Sequence, residues 1–284
     1  MNRNDQKGPL KGTEKLLAVM ARLRDTEKGC PWDAAQDFAT ITKYTLEEVY
    51  EVVEAIERQD MVGLKEELGD LLFQIVFYAQ IGSDKKLFTF DEIAQAAADK
   101  MIERHPHVFE DKKLEDHAAL MKMWEGDKQA KRDAKTAAQG KTPSALDDVA
   151  STLPAVTRAV KLQSRAARVG FEWTDIKDIL AKLDEEVAEL KEVIAEQQTK
   201  TEPLDLDLVD RLTEELGDVM FVLANVGRKL RVDPEYALRT TNRKFEKRFQ
   251  SIENTLASQG KKPQDVGLDE LVSMWNVVRK AGVK

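Results

Sequence analysis

The chain carries one acidic signature twice, and any fold it adopts has to find a place for both copies. The first is Thr45-Leu46-Glu47-Glu48-Val49-Tyr50-Glu51, followed by Glu66-Glu67-Leu68-Gly69-Asp70. The second is Leu183-Asp184-Glu185-Glu186-Val187-Ala188-Glu189, followed by Glu214-Glu215-Leu216-Gly217-Asp218. Each reads EExxE, a spacer, then ExxD, and each lies in a helical pattern. Residues three apart share a helix face, so Glu186 pairs with Glu189 and Glu215 with Asp218. Two such helices side by side bring four carboxylates together, and such a group needs a positive partner. Hard oxygen ligands of this kind suit Mg²⁺ or Mn²⁺ rather than zinc.

The plain reading of acidic helices is a solvated face. The flanks argue against it. Each ExxD runs straight into an apolar segment, Leu71-Leu72-Phe73-Gln74-Ile75-Val76-Phe77 in one half and Val219-Met220-Phe221-Val222-Leu223 in the other. Segments apolar nearly all round are expected to be buried, and carboxylates at the mouth of a buried helix need partners.

With 284 residues there is room for two domains. Gly140 and Pro143 mark a linker over 139–148, which separates a first domain at 10–138 from a second at 149–284. No stretch approaches the roughly 20 apolar residues of a membrane span, and the polar start, Met1 to Lys11, has no apolar signal region behind it. The single cysteine, Cys30, excludes an intramolecular disulfide and fits a reducing, cytoplasmic setting. A net charge of −8 argues against binding nucleic-acid polymers by phosphate neutralisation. It leaves room for a free nucleotide that arrives with its own metal.

Helical periodicity runs through the whole chain, and no strand pattern interrupts it, so the fold class is all-α. Helices are expected over Thr13–Asp25, Thr40–Gln59, Asp60–Ile81, Phe90–Arg104 and Glu115–Ala138 in the first half. The second half gives Leu153–Val169, Asp175–Gln198, Leu208–Leu230, Asp233–Ser258 and Leu268–Lys280. The halves form a degenerate repeat. Glu48, Glu51, Glu67 and Asp70 match Glu186, Glu189, Glu215 and Asp218; Lys100 and Arg104 match Lys244 and Arg248; Met123-Trp124 matches Met274-Trp275.

Around the second cluster, several residues suggest a role. Glu185 stands where it can orient or deprotonate a metal-bound water, the alternative being an exposed helix acid. Lys182 lies one turn before Glu186 on the same face. Lys244 and Arg248 share a face suited to a polyphosphate, or form a plain basic surface. The basic helix from Leu153 to Val169 either holds phosphates or packs on the acidic helices. Trp275 and Trp173 are candidates to stack on a base, though a tryptophan is more often core. His105, His107 and His117 do not have zinc-site spacing. A carboxylate di-iron bundle expects Glu-x-x-His pairs, and neither copy has the histidine.

Together these residues resemble the MazG family of nucleoside triphosphate pyrophosphohydrolases, in its tandem-domain form. The likeness extends from Leu16 to about Lys280. It includes Gly29-Cys30-Pro31-Trp32-Asp33, Arg104-His105-Pro106-His107-Val108-Phe109, Ala166-Ala167-Arg168-Val169-Gly170-Phe171-Glu172-Trp173 and Asn242-Arg243-Lys244-Phe245-Glu246-Lys247-Arg248-Phe249. The resemblance implies Mg²⁺-dependent cleavage of NTPs and dNTPs between the α- and β-phosphates, by a helical homodimer. It implies that Glu186, Glu189, Glu215 and Asp218 hold metal, and that Lys182, Arg211, Glu214, Lys244, Arg248 and Trp275 line the nucleotide site. In the first domain the acidic counterparts Glu48, Glu51, Glu67 and Asp70 remain, but Tyr44 stands for Lys182 and Gly63 for Arg211. Weak or absent catalysis is therefore expected there. The competing reading from another class is a helical scaffold or partner-binding regulator with relic acidic sites.

Overall fold

The computed structural model describes residues 10–110, 142–198 and 206–282, with scattered positions between 120 and 140. All regular elements among the described residues are helical. The chain divides into two compact units, residues 1–124 and 125–284. Of the helix expected over Glu115–Ala138, the described positions from Leu120 onward are helical, and the rest lies outside the described residues.

The first unit is built from α1 (Gly12–Leu23), α2 (Pro31–Ala35), α3 (Thr42–Arg58), α4 (Met61–Asp84), α5 (Phe90–Arg104) and α6 (Pro106–Phe109). Gln59 takes a left-handed φ of 59° at the end of α3, and Asp60 caps α4 by accepting from the Val62 and Gly63 amides. That two-residue turn folds α4 back along α3, and α1 packs on the other side of α4. Met20, Ile41, Val76, Phe77 and Ile81 form the buried core, with Phe38, Tyr44, Phe73 and Tyr78 packed around it. A capping box between Thr89 and Glu92 starts α5.

The periodicity places the end of α4 at Ile81, before Gly82, yet the helix continues to Asp84. Gly82 is buried inside it, and a Cβ there would meet the Phe88 ring at 2.4 Å. Here glycine serves a close approach rather than a break. Arg24 anchors the region: Nε donates to Asp84 Oδ2 (2.7 Å), and Nη1 donates to the carbonyls of Asp33 (2.6 Å) and Gln36 (3.1 Å).

The second unit comprises α7 (Ala155–Arg168), α8 (Ile176–Gln198), α9 (Leu206–Leu230), α10 (Pro234–Ser258) and α11 (Leu268–Lys280). The two motif helices α8 and α9 form its most extensive pairing, as α3 and α4 do in the first, and α7 packs across α9. Asp233 caps α10 with proline at the first helical position, as the Asp-Pro pair predicts. The segments after the ExxD motifs are not buried all round. Val76, Phe77 and Val222 are, but Leu72, Ile75, Met220, Phe221 and Leu223 remain exposed. Among the described residues, each unit buries only one side of these segments. No helix of the described residues is long and apolar enough to cross a membrane.

Candidate metal and nucleotide site

The pairing of α8 with α9 sets the site. One carboxylate oxygen each from Glu186, Glu189 and Glu215 lies within 4.8 Å of the others. Glu186 is only 6% exposed, so its charge has little solvent to screen it. Lys182 answers it from one turn earlier, with Nζ 2.8 Å from Glu186 Oε1 and 2.6 Å from Glu185 Oε1. Hydrogen bonds to these two glutamates hold the ammonium firmly protonated. Glu189 is pushed up from the usual carboxylate range, first by desolvation and then by its contact with Glu186. Asp218 falls outside the close trio. It lines a cavity that Lys182 and Glu186 also line.

That cavity, about 400 Å³, is walled by α7, α8, α9 and the segment between α7 and α8. Leu162, Ala166, Phe171, Trp173, Phe221 and Val222 give it an apolar body, while Gln163, Asn225, Glu172 and Arg228 supply polar groups. Arg228 and Lys229 both bond Glu172, and Lys229 also donates to the Trp173 carbonyl. These contacts pin the Phe171–Trp173 segment onto α9. They also hold the Glu172 carboxyl below its usual range, with the Arg228 hydrogen bond as the main cause.

The remaining candidates do not line this cavity. Arg211 makes a two-pronged pair with Glu196, at 2.7 and 2.9 Å, clipping α9 to α8. Glu214 is exposed. Arg248 lies over the Trp275 ring at 5.7 Å, and Phe245 packs on the same ring at 5.2 Å. Neither Lys244, Arg248 nor Trp275 lines the cavity.

In the first unit the close trio is Glu48, Glu67 and Asp70. Glu51 is a hydrogen-bonding neighbour of Glu67. Burial raises Glu48, and the negative charges of Asp70, Glu51 and Glu67 raise it further. Desolvation, Glu51 and Asp70 do the same to Glu67. Tyr44, in the place of Lys182, sets its ring against Trp32 at 5.8 Å and packs on the core. Gly63, in the place of Arg211, gives its amide to the Asp60 cap, and a Cβ there would meet Asp60 Oδ2 at 2.7 Å. Trp124, the counterpart of Trp275, donates to the Arg104 carbonyl at 2.5 Å.

Gln163, Asn225 and Arg228 were not singled out by the motifs. Their signal in the sequence is faint: Gln163 and Asn225 interrupt the apolar stripes of α7 and α9.

The profile of the MazG nucleotide pyrophosphohydrolase domain matches residues 36–109 and again 175–252, one match in each unit. The chain belongs to the MazG family. A nucleoside triphosphate pyrophosphohydrolase of Escherichia coli K12 is 42% identical over 271 residues, covering 94% of this chain and 97% of its own. The nucleoside triphosphate pyrophosphohydrolase/pyrophosphatase MazG of Thermotoga maritima is 36% identical over 263 residues, covering 92% and 93%. Both MazG matches contain a complete acidic signature, so the family alone does not distinguish the two units.

Proposed function

We propose that the second unit hydrolyses nucleoside triphosphates, NTPs and dNTPs, between the α- and β-phosphates, giving the monophosphate and pyrophosphate. The observation that carries this reading is the carboxylate trio Glu186, Glu189 and Glu215 beside Lys182, in a MazG domain, at a cavity large enough for an organic ligand.

The residues fit a divalent cation. The donors are hard oxygens, and Glu189 is raised first by desolvation and then by its contacts with Glu186 and the charge of Glu215. Glu186, Glu189, Glu215 and Asp218 would hold Mg²⁺, with Mn²⁺ as the alternative. When bound, the ion neutralises phosphate charge and makes a bound water more acidic. The chain's own groups do the rest. Lys182 Nζ faces both Glu185 and Glu186, so a phosphate entering here can take one of its three donors. Glu185, exposed on the same turn, accepts the proton of the attacking water. Lys244 and Arg248 are the reserve of positive charge for the departing pyrophosphate, with Trp275 held beside Arg248.

The enzyme acts as a homodimer in this reading. The exposed face of Met220, Phe221 and Leu223, with its counterpart at Leu72 and Ile75, is the apolar surface a second copy would cover. The setting in this reading is the cytoplasm, in keeping with a chain whose described helices cannot cross a membrane.

The test is pyrophosphate release by the purified protein from each NTP and dNTP. EDTA should abolish it, and Mg²⁺ or Mn²⁺ should restore it. Full turnover in chelator, or none with any triphosphate, would overturn the assignment.

A further inference from the structure

Helix α7 carries a stripe of positive charge that triphosphate hydrolysis at the carboxylate trio does not use. Arg158, Lys161, Arg165 and Arg168 follow one another at helical spacing and share one face. The helix contains no acidic residue, in a chain whose net charge is −8. Its dipole accounts for Arg165 and Arg168 in the last turn, but not for Arg158 near its start or Lys161 at its middle. Like charges one turn apart repel. Arg158 Nε is buried with no hydrogen bond, and Lys161 has no ion pair among the described residues. The opening helix of the first unit, α1, instead mixes Glu14 with Lys15 and Arg22.

The stripe lines a cavity of about 430 Å³ that shares no lining residue with the one beside the carboxylates. Lys161, Ser164, Arg165 and Arg168 form one wall, and Asp148, Val149, Ala150 and Leu153 form the other. Arg165 Nη1 donates to the Asp147 carbonyl at 3.4 Å, which ties the second wall to α7. The Asp147 carboxylate is taken by the Ser144 amide and the Thr136 hydroxyl. Among the described residues, Asp148 is thus the one acid in the lining, against three cations. Lys161 also lines a neighbouring cavity of about 350 Å³ with Arg228 and Arg231, where the Asp233 carboxylate is taken by the first amides of α10.

We propose that the basic cavity on α7 is a second anion site, separate from the catalytic one, and that it takes an inorganic di- or triphosphate. Guanidinium forks match phosphate oxygens two at a time, and the lysine adds a point charge. Among the described residues no aromatic ring lines the cavity, so a nucleobase has nothing to stack on. Its size suits a small molecule. Pyrophosphate, the product on the reading above, is the smallest anion of this class.

The experiment is calorimetric titration of the full chain, freed of metal on a chelating resin, with pyrophosphate, tripolyphosphate, ADP and citrate. Without metal the acidic trio repels these anions, so hydrolysis at that site stands or falls independently. The wild type should bind one tripolyphosphate per chain, and ADP and citrate at least tenfold more weakly. Lys161→Gln and Arg168→Gln, both at exposed positions, should each weaken tripolyphosphate binding tenfold or more. Arg248→Gln should leave it within twofold. No binding by the wild type would overturn the inference, as would affinities unchanged in both α7 variants. ADP or citrate bound as tightly as tripolyphosphate would overturn the ligand class. An equal loss in Arg248→Gln would move the anion off α7 and overturn the site.

Discussion

Seven residues past the last aspartate of the acidic signature, the two units part. Phe77 closes the core of the first, whereas Asn225 lines an open cavity in the second. The divergence recurs one turn before the signature. Lys182 bonds two glutamates, but Tyr44 leans on Trp32 and the core instead. The carboxylates themselves survive in both units. In the first unit Glu48 and Glu67 are raised by burial and by neighbouring carboxylates, as Glu189 is in the second. On the proposed reading an acidic frame gathers a metal in either unit, while aligning a polyphosphate also needs fixed positive groups and a shaped seat.

The comparison breaks most visibly in turnover. Glu186→Ala or Asp218→Ala should lower pyrophosphate release about a thousandfold, since a metal's charge stabilisation is worth several kcal/mol at about 1.4 kcal/mol per tenfold. Glu48→Ala or Asp70→Ala should lower it less than about twofold, a factor of two being only about 0.4 kcal/mol. Equal losses, with folding checked by circular dichroism, would refute the asymmetry. Next is stability. Phe77→Ala should cost about 3–5 kcal/mol, as large-to-small changes in closed cores do, while Asn225→Ala, at a cavity wall, should cost about 1 kcal/mol, the net worth of a typical hydrogen bond. Urea unfolding of both variants compares them, and similar losses would mean that the two positions are equally packed.

A smaller effect is expected from Lys182→Ala. Losing one charged hydrogen-bonding group typically costs about 1.5–3 kcal/mol, or roughly ten- to 150-fold in rate, while Tyr44→Phe should leave the rate unchanged. Loss of turnover from the tyrosine change would move phosphate alignment into the first unit. The smallest effect concerns pH. Glu48 and Glu67 are raised in the folded protein, so the stability they contribute is present below their unfolded pKa. It is lost as pH rises through their folded pKa. Glu48→Gln should thus raise the Tm of the metal-free protein at neutral pH and flatten its decline from acid pH. A lower Tm throughout would contradict the repulsion.

Much of this was legible from residue spacing. The helical class followed from periodicity, and the start of α10 from Asp233-Pro234. The pairing of Glu186 with Glu189 followed from their separation of three. What spacing did not reveal was set by tertiary packing. Gly82 reads as a helix end but admits the Phe88 ring. The runs after Asp70 and Asp218 read as buried all round, yet one side of each is left exposed among the described residues. Arg211 reaches Glu196 on the neighbouring helix, a contact no single-helix pattern contains. Gln163 and Asn225 are ordinary polar residues until α7 and α9 pack and leave a cavity between them.

On this reading one unit per chain is a working nucleotide site. Titration of the full chain with a Mg²⁺–α,β-methylene nucleotide counts such sites directly. One nucleotide should bind per chain, lost in Glu186→Ala and retained in Glu48→Ala. Two nucleotides bound per chain with equal affinity, one removed by each variant, would contradict it.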